Sequence, residues 1–155
     1  MAQWLFRTVP GVILGTLMLV GVAINFAGVV SRYGFGHALF WAEETMVYVI
    51  IWGVFVGVAA AAYDGVHLNM DLLSRVLEGR VRTAVNAFIA LVTVVCCAFV
   101  AYHSVAVVEM FATAGQLTIA ARYPKAVPHA ALAVGFALTA AAVVVRWRAY
   151  LSGKF

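Results

Sequence analysis

Apolar residues fill four long runs of the chain that contain no charged residue, and the charged residues are concentrated between them. The runs occupy residues 9–30, 45–62, 83–108 and 126–145. A helix needs about 20 mostly apolar residues to cross the hydrocarbon core of a bilayer. A membrane-spanning strand would alternate apolar and polar side chains, and these runs do not. The pattern therefore predicts an all-α integral membrane protein with transmembrane helices at about 9–30, 43–62, 83–108 and 126–145.

Composition supports this class of protein. Of the 155 residues, 66% are hydrophobic and 10% are charged, whereas a soluble domain carries about 25% charged residues. These values exclude a soluble globular enzyme and a disordered chain, and they predict a single membrane domain over residues 1–155. The net charge is +4. The basic residues are not clustered with aromatic residues as in nucleic-acid-binding proteins, so we expect no nucleic-acid partner.

The distribution of Lys and Arg predicts the orientation in the membrane. Four spans place both termini and the middle connection on one side, which carries seven of the ten Lys and Arg residues. The opposite side carries only Arg32, Arg122 and Lys125. Cytoplasmic loops carry the excess of positive charge. We therefore expect both termini to be cytoplasmic.

The middle cytoplasmic connection contains an amphipathic segment at 66–79. Leu68, Leu72 and Leu73 recur there at helical spacing, with polar residues between them. Such a segment beside a membrane either lies in the plane of the interface, in contact with membrane lipids, or packs on a partner protein. The sequence leaves both possibilities open.

Every Asp, Glu, Lys and Arg lies outside the four runs, and this argues against an autonomous pump or a proton-coupled exporter. Ion and proton carriers place such groups within their spans, where they are costly and functional. The acidic residues Glu43 and Glu44 begin the second helix instead. They could be stabilised by the helix dipole, form a salt bridge with Arg32 or a neighbouring subunit, or act as a catalytic pair. The last possibility lacks a nearby nucleophile or metal cluster.

Other polar and small residues in the spans admit further interpretations. His103 lies near the end of the third helix and His129 near the start of the fourth, so both are close to the outer side of the membrane. Two facing histidines at a shared depth could ligate haem in a membrane anchor of a redox complex. Asn25 is the most polar residue of the first span, and such a residue commonly forms an interhelical hydrogen bond. Gly53 and Gly57 have the four-residue spacing that lets helices approach closely.

Several loop motifs resemble those of the small permease subunit of tripartite ATP-independent periplasmic (TRAP) transporters, the DctQ-like family. An Arg-Tyr-x-Phe element follows the first helix, a Trp-x-Glu-Glu element begins the second, and a Gly-x-His element with a later Asp follows it. A Gln precedes the fourth helix in the second outer loop, where Leu117, Thr118 and Ile119 replace the usual Thr-Ser-Pro. The matching residues are Arg32, Tyr33, Phe35, Trp41, Glu43, Glu44, Gly65, His67, Asp71 and Gln116.

The resemblance implies a non-catalytic subunit of the bacterial inner membrane that needs no cofactor. In that family a periplasmic binding protein captures an organic anion, and a large multi-span subunit moves it with a cation gradient. The small subunit braces the large one and helps to form the docking surface for the binding protein. The implied interface or docking residues are Arg32, Tyr33, Trp41, Glu43, Glu44, Gly53, Gly57, His67, Asp71, Gln116 and Arg122.

Overall fold

The computed structural model describes residues 7–65 and 79–152. Four of its helices are long and apolar enough to cross a membrane, which confirms the prediction of an all-α, four-span membrane protein. A short fifth helix follows the last span. Most of the predicted amphipathic segment 66–79, including His67 and Asp71, lies outside the described residues. The helices are α1 (Val9–Gly34), α2 (Phe40–Tyr63), α3 (Gly79–Thr113), α4 (Ala126–Val145) and α5 (Trp147–Ser152).

Three of the four long helices continue past the uncharged runs. Helix α1 includes Arg32, α2 begins before Glu43, and α3 includes Arg80, Arg82 and Glu109. Helix α3 has 35 residues and is therefore about 52 Å long, compared with about 30 Å for a hydrocarbon core. Charged residues limit the part of a helix that lies in hydrocarbon. They do not end the helix, because its backbone hydrogen bonds are internal and long side chains can reach water.

The long helices pack in the order α1, α2, α4, α3. The main contacts join α1 to α2, α2 to α4, and α4 to α3, while α5 packs mainly on α3. Helix α1 buries only Pro10 and Gly21. Among the described residues the long helices therefore form an open row, in which α2 is the main neighbour of α1 and α1 exposes most of its apolar surface.

The buried core lies where the end of α2 meets α3, α4 and α5. Tyr150 of α5 is 1% exposed, and its hydroxyl donates a hydrogen bond to the carbonyl of Ala62 at the end of α2. Burial raises the pKa of Tyr150 to about 12, so the phenol remains a donor at neutral pH. The guanidinium of Arg146 lies 4.9 Å from the ring centre of Tyr63. The core residues are Ala62, Tyr63, Ala90, Ala142, Val143 and Tyr150.

The closest helix approach that depends on a glycine joins α2 and α4. A Cβ atom added to Gly135 would lie 2.6 Å from the Cβ of Phe55, which is too close for any side chain. Gly53 and Gly57 do face α1, but a Cβ at either position would meet Leu14 at 3.8–4.0 Å, an ordinary contact. The glycine spacing in α2 therefore marks the α1–α2 contact without making it unusually tight.

Candidate functional site

The connections α1–α2 and α3–α4 lie at the same end of the protein, which we call the two-loop end. The first comprises residues 35–39 and the second residues 114–125. The amides of Phe35 and His37 both donate to the carbonyl of Ser31, and the Ser31 hydroxyl donates to the carbonyl of His37 at 2.7 Å. These bonds turn the chain tightly from α1 into α2.

Glu44 holds the second connection against the start of α2. Its carboxylate accepts hydrogen bonds from the hydroxyl of Thr118 at 2.6 Å, the amide of Ala120 at 3.0 Å and the amide of Ala121 at 2.7 Å. Hydrogen bonds to an ionised carboxylate are shorter and stronger than those between neutral groups. One side chain of α2 thus fixes the conformation of a loop more than 70 residues away in sequence.

The loop itself folds as a narrow hairpin. The amide of Thr118 donates to the carbonyl of Tyr123 at 2.8 Å, and the amide of Lys125 donates to the carbonyl of Gln116 at 3.0 Å. The amide of Tyr123 also donates to the Thr118 hydroxyl at 2.9 Å. Arg122 has a φ of 56°, a left-handed conformation that costs free energy in a residue other than glycine. The hydrogen bonds on both sides of Arg122 hold it there.

Two further side chains of α2 fix the base of the hairpin. The hydroxyl of Tyr48 donates to the carbonyl of Pro124 at 3.2 Å, and the hydroxyl of Thr45 lies 3.3 Å from that of Tyr123. The rings of Tyr48 and Tyr123 meet edge to face with their centres 5.6 Å apart. We call residues 116–125, together with the first turns of α2 that hold them, the platform.

The platform presents an exposed apolar tip. Ile119 is 96% exposed, although its neighbours Thr118 and Ala121 are held by Glu44. Arg122 is exposed beside it. A fully exposed isoleucine on a rigid loop is a shape that another surface can recognise with little loss of conformational entropy.

Glu43 and Glu44 have different partners. Glu43 forms an ion pair with Arg32 at 3.4 Å, with side chains that are 83% and 58% exposed, respectively. Such exposed pairs are worth about 0–1 kcal/mol. Of the alternatives raised by the sequence, the pairing with Arg32 therefore occurs for Glu43. Glu44 bonds the platform, so the two carboxylates are not arranged as a catalytic pair.

The structure brings together most of the residues that the sequence singled out. Gly53 and Gly57 lie farther along α2 and face α1, and His67 and Asp71 are outside the described residues. The residues at the two-loop end are Arg32, Tyr33, Trp41, Glu43, Glu44, Gln116 and Arg122.

Sequence reasoning missed the residues that join the platform to α2. Thr118 was noted only as a departure from the Thr-Ser-Pro pattern, yet Thr and Ser both carry a hydroxyl at that position. That shared hydroxyl is the signal that could have indicated a polar contact. Tyr48 gave no such signal, because an aromatic residue near the end of a span is common at membrane interfaces.

The two histidines do not converge on one point. The ring of His103 lies beside Phe99, with centres 4.4 Å apart, whereas that of His129 packs on Phe111, also at 4.4 Å. Phe111 is about 12 Å farther along α3 than His103. This geometry does not favour a haem held by both histidines. Within residues 7–65 and 79–152, no three His, Cys, Asp or Glu side chains are grouped as metal ligands.

Known proteins with similar sequences are TRAP transporter permeases. The chain is 27% identical over 135 residues to the ectoine TRAP transporter small permease protein TeaB of Halomonas elongata. The matched residues make up 87% of this chain and 70% of that protein. It is 34% identical over 74 residues to the C4-dicarboxylate TRAP transporter small permease protein DctQ of Vibrio cholerae, covering 48% of this chain and 30% of that protein.

A third relative is much longer than this chain. The sialic acid TRAP transporter permease protein SiaT of Haemophilus influenzae is 28% identical over 82 residues, which are 53% of this chain but only 13% of that protein. The family model described as "Tripartite ATP-independent periplasmic transporters, DctQ component" matches residues 21–152. The chain therefore belongs to the DctQ component family and is a multi-pass small permease subunit of a TRAP transporter.

Proposed function

We propose that this subunit braces a large multi-span permease subunit and helps to dock a periplasmic substrate-binding protein. The transporter would import organic anions, carboxylates or sugar acids, with the energy of a cation gradient. The platform carries this proposal, because it is a rigid surface built at one end of an otherwise apolar protein. Its anchoring residue, Glu44, bonds three groups of the loop.

A bracing role agrees with the distribution of charge. The four uncharged runs contain no Asp, Glu, Lys or Arg, so they offer no carboxylate for coupling a cation to a solute within the bilayer. Transport chemistry would then belong to the large subunit. The open row of helices also suits a brace, because it is wide in one direction and leaves apolar faces for a partner.

A docking role requires the platform to face the periplasm. The excess of Lys and Arg at the opposite end supports this orientation in the inner membrane. The exposed charges of Arg32, Glu43 and Arg122 would then steer the encounter with the binding protein, since rim charges affect association rates more than affinity. Ile119 would supply an apolar contact at the centre.

The proposed substrate class follows the relatives. They are named for ectoine, C4-dicarboxylates and sialic acid, and two of these three names denote organic acids. Within a TRAP transporter the binding protein captures the solute, so the platform would recognise that protein and not the solute.

Charge removal at the two-loop end tests the proposal. The variant carries Arg32→Gln, Glu43→Gln and Glu44→Gln, and the control carries Arg148→Gln at the other end. Cells would express the complete transporter, with the solute chosen by a thermal-shift screen of carboxylates against its binding protein. We expect the triple variant to lower initial uptake by about tenfold. It removes two exposed charges that would steer association and the carboxylate that holds the platform in place. Unchanged uptake and unchanged complex yield would refute the docking role.

A further inference from the structure

A long groove runs along the surface between α1 and α2. Its main part has a volume of about 720 Å³ and is lined by apolar residues such as Leu17, Val22 and Val49. A second part of about 420 Å³ continues from it to the exposed Arg32–Glu43 pair. The groove is thus apolar along most of its length and charged at the two-loop end.

Asn25 is the polar residue in the main, apolar part of this groove. It lines both parts and its side chain is exposed. The side-chain amide makes no hydrogen bond within residues 7–65 and 79–152. It lies nine residues before the end of α1, which places it about 13 Å below that end. A polar group facing hydrocarbon without a partner costs free energy. An interhelical hydrogen bond to Asn25, as expected from the sequence, would therefore need a partner outside the described part of this chain.

We propose that the α1–α2 groove receives a transmembrane helix of the large permease subunit, which offers a hydrogen-bonding group at the depth of Asn25. This inference rests on the proposed function, because it assumes that the large subunit is the partner. It adds which face of the small subunit is covered and which residue fixes the depth of the contact.

The pattern of charge and hydrogen bonding in the groove fits a helix better than a phospholipid. Arg32 would be the residue to attract a phosphate, but Glu43 already lies 3.4 Å from it. Asn25 lies about 10 Å deeper than Arg32 along α1. At that depth a lipid offers methylene groups, which cannot accept or donate a hydrogen bond. A helix can place a Ser, Thr, Asn or Gln side chain there, as interhelical contacts in membranes often do.

The sequence relatives favour the large subunit over a second copy of this chain. In the Haemophilus permease the matched segment is 13% of one much longer protein. A segment of that kind is joined covalently to the remaining chain, so partners from that chain are always nearby. A separate small subunit has no such covalent link and would need a complementary face to hold its partner, and the α1–α2 groove is a large apolar face.

Site-specific photo-crosslinking tests the inference in intact membranes. A benzophenone amino acid would replace Val22, which lines the groove, or Leu19, which is exposed on α1 outside it. Small and large subunits would be co-expressed, and adducts would be identified by mass spectrometry. We expect the adduct with the large subunit to form at least about fivefold more at position 22 than at position 19.

The outcomes separate this inference from the proposed function. If the large subunit co-purifies but position 22 forms no adduct with it, the inference is wrong and the proposed function stands. An adduct of two copies of this chain, or with lipid alone, would also overturn the inference. If no large subunit co-purifies with the wild-type chain, both fail.

Asn25 itself is tested by substitution. We expect Asn25→Leu to lower the fraction of large subunit retained in mild detergent by about fivefold, the effect of losing one interhelical hydrogen bond. Asn25→Gln should retain most of it. The control Ala23→Leu adds volume on α1 outside the groove and should have no effect. Equal retention for Asn25→Leu and the wild type would show that the amide does not contribute.

Discussion

Glu44 connects the two parts of the platform, because its carboxylate accepts hydrogen bonds from Thr118, Ala120 and Ala121. Its neighbour Glu43 contacts Arg32. We expect Glu44→Ala to increase the rate of amide hydrogen exchange at Ala120 and Ala121 by about tenfold or more. Exchange reports local opening of the loop, and hydrogen bonds to a charged group contribute more to stability than bonds between neutral groups. Mass spectrometry of loop peptides would measure the exchange.

The matched control for this experiment is Glu43→Ala. It removes a carboxylate one residue away and leaves the bonds to the loop intact. Faster exchange in both variants, or in neither, would contradict the anchoring role of Glu44.

Gly135 allows the close approach of α4 to α2. A Cβ at this position would lie 2.6 Å from the Cβ of Phe55, an atom that no change of rotamer can move away. We expect Gly135→Ala to destabilise the protein by about 1–3 kcal/mol, the usual cost of overpacking. Thermal unfolding in detergent would measure it.

The control for Gly135→Ala is Gly15→Ala in α1, where an added Cβ meets nothing within 4 Å. Both changes raise helix propensity by a similar amount. A melting temperature for Gly135→Ala equal to that of Gly15→Ala would therefore argue against the tight α2–α4 contact.

The sequence identified Arg32, Glu43 and Glu44 as important but could not divide their roles. The partners of Glu44 lie 74 to 77 residues away, and two of them are backbone amides, which carry no sequence signal. Their position depends on the hairpin conformation of the loop. The tight contact of Gly135 was also hidden, because the sequence does not show that Phe55 lies opposite this glycine.

Helix α5 is held to the end of α2 by Tyr150. Its buried hydroxyl donates to the carbonyl of Ala62. We expect Tyr150→Phe to lower the free energy of unfolding by about 1 kcal/mol, the net contribution of one hydrogen bond. Tyr102→Phe is the control, because Tyr102 is exposed on α3. If both variants unfold at the wild-type temperature, the Tyr150 bond contributes nothing to stability.

Hydrophobic patterning predicted the number and type of the long helices but not their ends or neighbours. Each span is apolar on all sides, so no polar face indicates which surface meets which helix. The order α1, α2, α4, α3 instead depends on particular contacts, such as Gly135 against Phe55 and Leu14 against Gly57. The helix ends differ from the uncharged runs because residues such as Arg32 and Arg82 remain helical.

The orientation of the whole molecule determines whether the platform can meet a binding protein. We expect Ile119→Cys to react with a membrane-impermeant maleimide in intact cells, since the positive-inside rule places this end in the periplasm. Arg148→Cys should react only after the inner membrane is permeabilised. Both would be made with Cys96→Ala and Cys97→Ala, because Cys96 is an exposed thiol. The reverse labelling pattern would remove the basis of the docking role.

We have proposed that this chain works as a brace within a larger transporter. Purification of the tagged chain from native membranes in mild detergent, with quantitative mass spectrometry of the bound proteins, tests it most directly. We expect to recover a much larger multi-span permease subunit in near-equal amount. Recovery of the chain alone, or only with further copies of itself, would contradict it.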